Sequence, residues 1–157
     1  MKKETRAVLV RLVLETKFIK DPFPVWDEIK IYLSDDGGEL IQSGTFIGVF
    51  ENEMAGAFLV KPWTDYCYEV HGGVAKKYWG RGPEICKAMG VFLFQKTPCL
   101  KIVAIIPEFN QLMRLTVRKI GMKQEGIITK SFMKRFRMWD QYVYGITKGE
   151  YKWLQRQ

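Results

Sequence analysis

The sequence predicts an α+β fold, a mixed and mostly antiparallel central sheet with helices on both sides. Apolar runs of strand length recur between clusters of Gly, Pro, Asp and Asn. Two longer stretches, 84–94 and 110–120, instead repeat their apolar residues at helical spacing. Around 66–106 the order strand, glycine turn, helix, strand makes a βαβ-like unit. With 157 residues, 47% of them apolar, the chain can bury one core and shows no linker or internal repeat, so residues 1–157 are expected to form a single domain.

Arg6 to Leu14, rich in Val and Leu, reads as a first strand, with a helix starting at Glu4 as the competing reading. Asp21-Pro22-Phe23-Pro24 breaks the chain, after which Val25, Trp26, Ile29 and Leu33 fall at helical spacing up to a stop at Asp35-Asp36-Gly37-Gly38. Thr45 to Phe50 and Ala55 to Val60 are two apolar runs joined by Glu51-Asn52-Glu53-Met54, a hairpin-sized connection. Tyr66 to Val74 is a further strand, and Gly72-Gly73 near its end suits a bulge. A helix follows from Glu84 to Phe94, with Ile85, Ala88, Met89, Phe92 and Leu93 on one face. Leu100 to Ile106 lies between Pro98 and Pro107 and reads as a strand buried on both faces. Asn110 to Ile120 is a second amphipathic helix stopped by Gly121, and strands are expected at Met122 to Ile128 and Trp139 to Thr147.

Composition narrows the chemistry. Cys67, Cys86 and Cys99 are odd in number and lack Cys-x-x-Cys spacing, which argues against a disulfide framework and a zinc site and fits a reducing cytoplasm. His71 is the single histidine, so no metal centre built on several imidazoles is expected. Arg6 and Arg11 interrupt the first apolar run, which disfavours a secretory signal, and no stretch approaches the roughly 20 apolar residues of a membrane span. The net charge of +8 favours anionic partners. Part of the excess lies at Lys130, Lys134, Arg135 and Arg137 with Phe132 and Phe136 interleaved, a pattern that fits either a solvated basic rim or nucleic-acid binding.

Between the strand ending at Val74 and the helix near Glu84, the turn containing Gly80 and Gly82 aims backbone N–H groups at one point. A diphosphate would gain from those donors, from the helix dipole and from Arg81, while the glycines permit close approach.

The unbroken segment Val74-Ala75-Lys76-Lys77-Tyr78-Trp79-Gly80-Arg81-Gly82, continued by Pro83-Glu84, resembles the acetyl-CoA pyrophosphate loop of the GNAT superfamily of N-acetyltransferases. It departs from the family's Arg/Gln-x-x-Gly-x-Gly/Ala pattern at Trp79 and Glu84. Asn110 through Gly121-Met122 is similar to the family's later helix, so the likeness covers roughly Thr45 to Tyr151. The resemblance implies acetyl transfer from acetyl-CoA to an amine in a V-shaped cleft between two splayed strands. It assigns cofactor binding to Gly72, Val74, Trp79, Gly80, Arg81, Gly82, Pro83 and Asn110, with backbone N–H groups around Gly72 to Val74 polarising the thioester carbonyl.

Attack needs a neutral amine, and Glu69 and His71, the nearest titratable pair to that bulge, are either its base or side chains that hydrogen-bond to their surroundings or a neighbouring helix. Spacing by two puts them on one strand face, although without a bulge Tyr68 and Val70 share the face of Val74 instead. Family members commonly carry a thiolate-protonating tyrosine seven residues after the Asn, a position filled here by Val117. Water or Tyr142 or Tyr144 would serve in its place, unless those tyrosines only pack the sheet.

Asp35-Asp36-Gly37-Gly38, Glu69-Val70-His71 and Tyr142-Val143-Tyr144-Gly145-Ile146-Thr147-Lys148 further resemble GNAT-like proteins encoded by bacteriophages, which implies work in the host bacterial cytoplasm on an unspecified amine acceptor. Asp35 and Asp36 suit either a cationic acceptor or a helix-stop turn. Two other functions remain open at this level: a non-catalytic GNAT-fold phage accessory or structural protein, and a nucleic-acid-binding protein using the 130–137 cluster.

Overall fold

The computed structural model describes residues 8–13, 45–50 and 53–152. The helix expected at Val25 to Leu33 and the Asp35-Asp36 turn lie outside the described residues. The described residues fall into two compact units, one containing residues up to Lys61 with His71–Met89, the other Pro62–Val70 with the chain from Gly90 onward.

In the first unit, β1 (Val8–Val13) pairs in parallel with β2 (Thr45–Phe50), and β2 pairs antiparallel with β3 (Met54–Pro62). The residues from Met54 to Val60 are all buried, as continuous apolar runs require when both faces of a strand are covered. β3 runs beside the last residues of β4 (Cys67–Val74), where the Ala75 N–H donates to the Ala55 carbonyl at 2.8 Å. Gly72 permits this approach: a Cβ there would collide with the Ala57 carbonyl oxygen and stand 2.8 Å from Phe58 Cα. A 3₁₀ turn, Lys76–Arg81, then leads into α1 (Gly82–Lys96), whose Ile85, Cys86 and Met89 are buried.

In the second unit the opening of β4 pairs in parallel with β5 (Lys101–Pro107), Glu69 opposite Val103. β5 pairs antiparallel with β7 (Arg137–Thr147), and β7 with β6 (Lys123–Lys134), which lies at the sheet edge. Ile102, Val103, Ile106, Tyr144 and Ile146 form the buried face here, joined by Leu93 and Phe94 of α1. Half of β5 is only partly covered, so that strand is less enclosed than its unbroken apolar run suggests.

α2 (Gln111–Lys119) is closed at both ends. The Asn110 side chain accepts from the Met113 N–H at 3.2 Å. Gly121, at φ +96°, turns the chain so that its own N–H reaches the Arg118 carbonyl and that of Met122 the Val117 carbonyl, both at 3.0 Å. This is the Schellman arrangement, which a left-handed glycine makes accessible.

The mixed, mostly antiparallel sheet agrees with the expectation from sequence. The last hairpin is longer than expected: β6 runs on past Ile128 to Lys134, and β7 begins at Arg137 rather than Trp139. Most of β6 faces solvent, so no buried and exposed alternation marked its extent in the sequence. Among the described residues no helix is long and apolar enough to cross a membrane.

Candidate functional site

The turn that the sequence singled out is held by its own side chains. Trp79 lies half exposed with its indole N–H donating to the Val74 carbonyl at 3.0 Å, which ties the 3₁₀ turn to the end of β4. The Tyr78 N–H donates to the Ala75 carbonyl, and the Gly82 N–H closes the turn on the Trp79 carbonyl. From β3's approach, Glu53 receives both the Lys77 ammonium at 2.6 Å and the Tyr78 hydroxyl at 3.2 Å. Those donors hold the Glu53 carboxyl below its ordinary range.

At the start of α1, Pro83 has no N–H to leave unpaired and Gly82 has spent its own on the turn. The remaining first-turn donor, at Glu84, is one that an α-helix does not use internally. A Cβ built on Gly80 meets nothing within 4 Å, so open space adjoins this turn. Arg81 is bound by Glu84 through both arms, Nε to Oε2 and Nη2 to Oε1, each at 2.8 Å. That hydrogen bonding lowers the Glu84 carboxyl against the opposing effect of partial burial. Lys76, Lys77, Arg81 and Lys87 still outnumber Glu53 and Glu84, so the local balance is cationic.

Glu69 is 8% exposed on β4, whereas His71 is partly open to solvent and Gly72 is exposed. Gly72, expected from the sequence at a bulge and in cofactor binding, has a packing duty against β3. Asn110 has a duty as the α2 cap. Val117 is buried and offers no hydroxyl. Tyr144 is wholly buried and its hydroxyl accepts from Arg114 Nε at 3.1 Å. Arg114 also donates from Nη1 to the Glu108 carbonyl at 3.1 Å and lies 4.1 Å above the Tyr142 ring. Both tyrosines therefore serve the packing of α2 on β7. Burial pushes the Cys86 thiol up to about 12 and that of Cys99 to about 11, which makes both poor nucleophiles.

Glu53 and Arg114 are the residues that sequence reasoning missed. Arg114 stands four residues after the Asn110 cap, and the alternating Tyr142 and Tyr144 offered it a partner face, a signal available only once α2 is laid against β7. Glu53 carried no such signal, being one of several acids in a hairpin connection.

No family model and no curated protein sequence matches the chain. Solved structures do. One is an acetyltransferase of the GNAT family from Bacillus anthracis, at 25% identity and TM-score 0.57, covering 63% of this chain and 61% of that one. A spermidine N-acetyltransferase chimera from Vibrio cholerae matches at 16% identity and TM-score 0.57, over 63% of this chain and 62% of that one. Mycobacterium smegmatis RimJ in complex with CoA-disulfide matches at 17% identity and TM-score 0.55, over 62% and 49%. The matched region thus spans about half to three fifths of these proteins' own length. With its sheet order, its glycine turn and these likenesses taken together, the chain carries the fold of the GNAT-family acetyltransferases.

Proposed function

We propose that the protein is an acetyl-CoA-dependent N-acetyltransferase acting on an amine of a small molecule or protein. The observation that carries this is the Trp79–Glu84 turn, set at a helix N-terminus with open space at Gly80. The spermidine enzyme and CoA-bound RimJ among the structural neighbours support the same amine and cofactor classes. When bound, acetyl-CoA supplies an activated acetyl thioester. The Glu84 N–H and Arg81 would hold its diphosphate, with Gly80 and Gly82 leaving room and Pro83 starting the helix. Backbone N–H groups from Gly72 to Val74 would orient the thioester carbonyl. His71 is the accessible acceptor for the amine proton, and Glu69 is the buried carboxylate next along the same strand face. On this reading the protein is phage-encoded and works in the cytoplasm of an infected bacterium, as the 142–148 segment suggests by resemblance.

The Arg81–Glu84 pair and the buried Val117 favour a second reading, a GNAT-fold module that binds the cofactor without turnover. Calorimetric titration with acetyl-CoA, followed by thiol release across a panel of amines, separates the two. Gly80→Trp is the matched control, because a Cβ there meets nothing within 4 Å and the indole would fill the site, an unchanged melting temperature being required of the variant. Absence of heat with the wild-type protein would sink both readings. Binding abolished by Gly80→Trp, with thiol release, supports the enzyme.

A further inference from the structure

The β6–β7 hairpin ends in a two-residue turn, Arg135-Phe136, with φ of +52° and +61°. Both positions of such a turn favour Asn and Gly, and a bulky aromatic residue held at positive φ is strained. Phe136 is nevertheless placed there, fully exposed. Backbone strain that displays a side chain to solvent points to a use for that side chain.

A second irregularity lies further down the hairpin. Lys130, also at positive φ (+46°), donates its N–H to Asp140 Oδ1 at 2.8 Å, within the register shift between Ile128 and Phe132. Toward the tip, Arg137 lies 3.9 Å above the Trp139 ring and Lys134 4.3 Å above that of Phe109. Phe109 in turn sits edge-on to Phe132 and Trp139. Stacking fixes these two cations in place without neutralising them. Among the described residues none of Lys130, Lys134, Arg135 and Arg137 is in a salt bridge. The hairpin is thus a cationic arm with an exposed ring at its end.

We infer that this arm docks single-stranded nucleic acid, its phosphates held by Lys130, Lys134, Arg135 and Arg137 and an unstacked base lying on Phe136. A second copy docking through the same hairpin would be repelled by the same four charges. An anionic membrane surface would have to take up Phe136 with the exposed Met133 and Met138 beside it while Lys134, Arg135 and Arg137 met its headgroups, and vesicle binding is therefore the competing outcome of the test. A duplex keeps its base faces stacked, so only a single strand uses the phenyl group.

Fluorescence anisotropy with a labelled oligo(U) strand, a duplex of equal length and phosphatidylserine vesicles tests this from 50 to 200 mM salt. The strand is expected to bind more tightly than the duplex. Phe136→Ala should weaken strand binding at least about fivefold, and Phe136→Tyr should retain it. Lys134→Gln/Arg135→Gln should reduce the salt slope by about 1.4. The Arg135→Asn/Phe136→Gly variant should melt at a higher temperature yet lose the strand, a combination that damage to the fold cannot produce. Equal affinity for strand and duplex with no effect of Phe136→Ala, binding to vesicles alone, or no binding at all overturns the inference.

Discussion

The guanidinium of Arg81 grips both oxygens of the Glu84 carboxylate at 2.8 Å, across the junction of the 3₁₀ turn and α1. The sequence pattern has a small residue where Glu84 stands, and the pairing shows how the chain accommodates an acid there. On the proposed function, Glu84 occupies the donor fork that the cofactor's phosphate would otherwise approach.

Removing that charge is therefore expected to strengthen cofactor binding. For Glu84→Gln, acetyl-CoA affinity measured by calorimetry should rise about two- to fivefold, the scale of an exposed ion pair. An unchanged or lower affinity would show that Arg81 has no part in holding phosphate.

Two glycine substitutions should behave oppositely. Gly72→Ala drives a methyl group into the Ala57 carbonyl and Phe58 backbone, and is expected to destabilise the protein by about 1–3 kcal/mol or more in chemical denaturation. Gly80→Ala meets nothing and should leave the melting temperature unchanged, while weakening acetyl-CoA binding if the turn is the diphosphate site.

Tyr144→Phe removes the acceptor of Arg114 Nε inside the second unit. The expected loss is about 0.5–1.5 kcal/mol, because a part-buried hydrogen bond is removed. Denaturation curves give the stability. Rates of thiol release at saturating acetyl-CoA should be unaltered, which distinguishes a packing residue from a thiolate-protonating one.

Glu150 accepts from the Thr147 N–H at 3.1 Å and the Thr147 hydroxyl at 2.9 Å, and pairs with Lys123 at 3.2 Å. The Thr147 hydrogen bonds, with Lys123 after them, hold its carboxyl down at about 2, below the value of 4.5 it has when unperturbed. Its folded-state pKa is depressed, so its contribution is complete above pH 4.5 and lost as pH falls toward 2. Thermal melts over that window should show a smaller decline for Glu150→Gln than for the wild-type protein.

The buried half of this fold was legible before any coordinates. β2, β3, β5 and the two helices fall where apolar runs and periodicity put them, because burial imposes a pattern on sequence. The turn at Gly80 and Gly82 was equally visible. The extent of β6 was not, since residues such as Lys130 and Ser131 on an exposed edge obey no alternation. Neither was Glu84's partner: the i,i+3 spacing from Arg81 permits the pair, but only the geometry of the turn–helix junction makes it bidentate. Asn110 illustrates a third limit, because one residue type at one position fits both a cofactor contact and a helix cap.

The hydrogen bond from the Trp79 indole to Val74 has a kinetic consequence. If acetyl-CoA binds at this turn, as proposed, the tryptophan that ties it to β4 leaves less ordering for the ligand to drive. Association at Gly80 should then proceed at the rate of encounter, linear in ligand concentration without a saturating phase. Because the tethered indole sits half exposed one residue from that glycine, the part of the emission change that a Trp79→Phe variant loses would report such binding in stopped flow, the chain having five tryptophans.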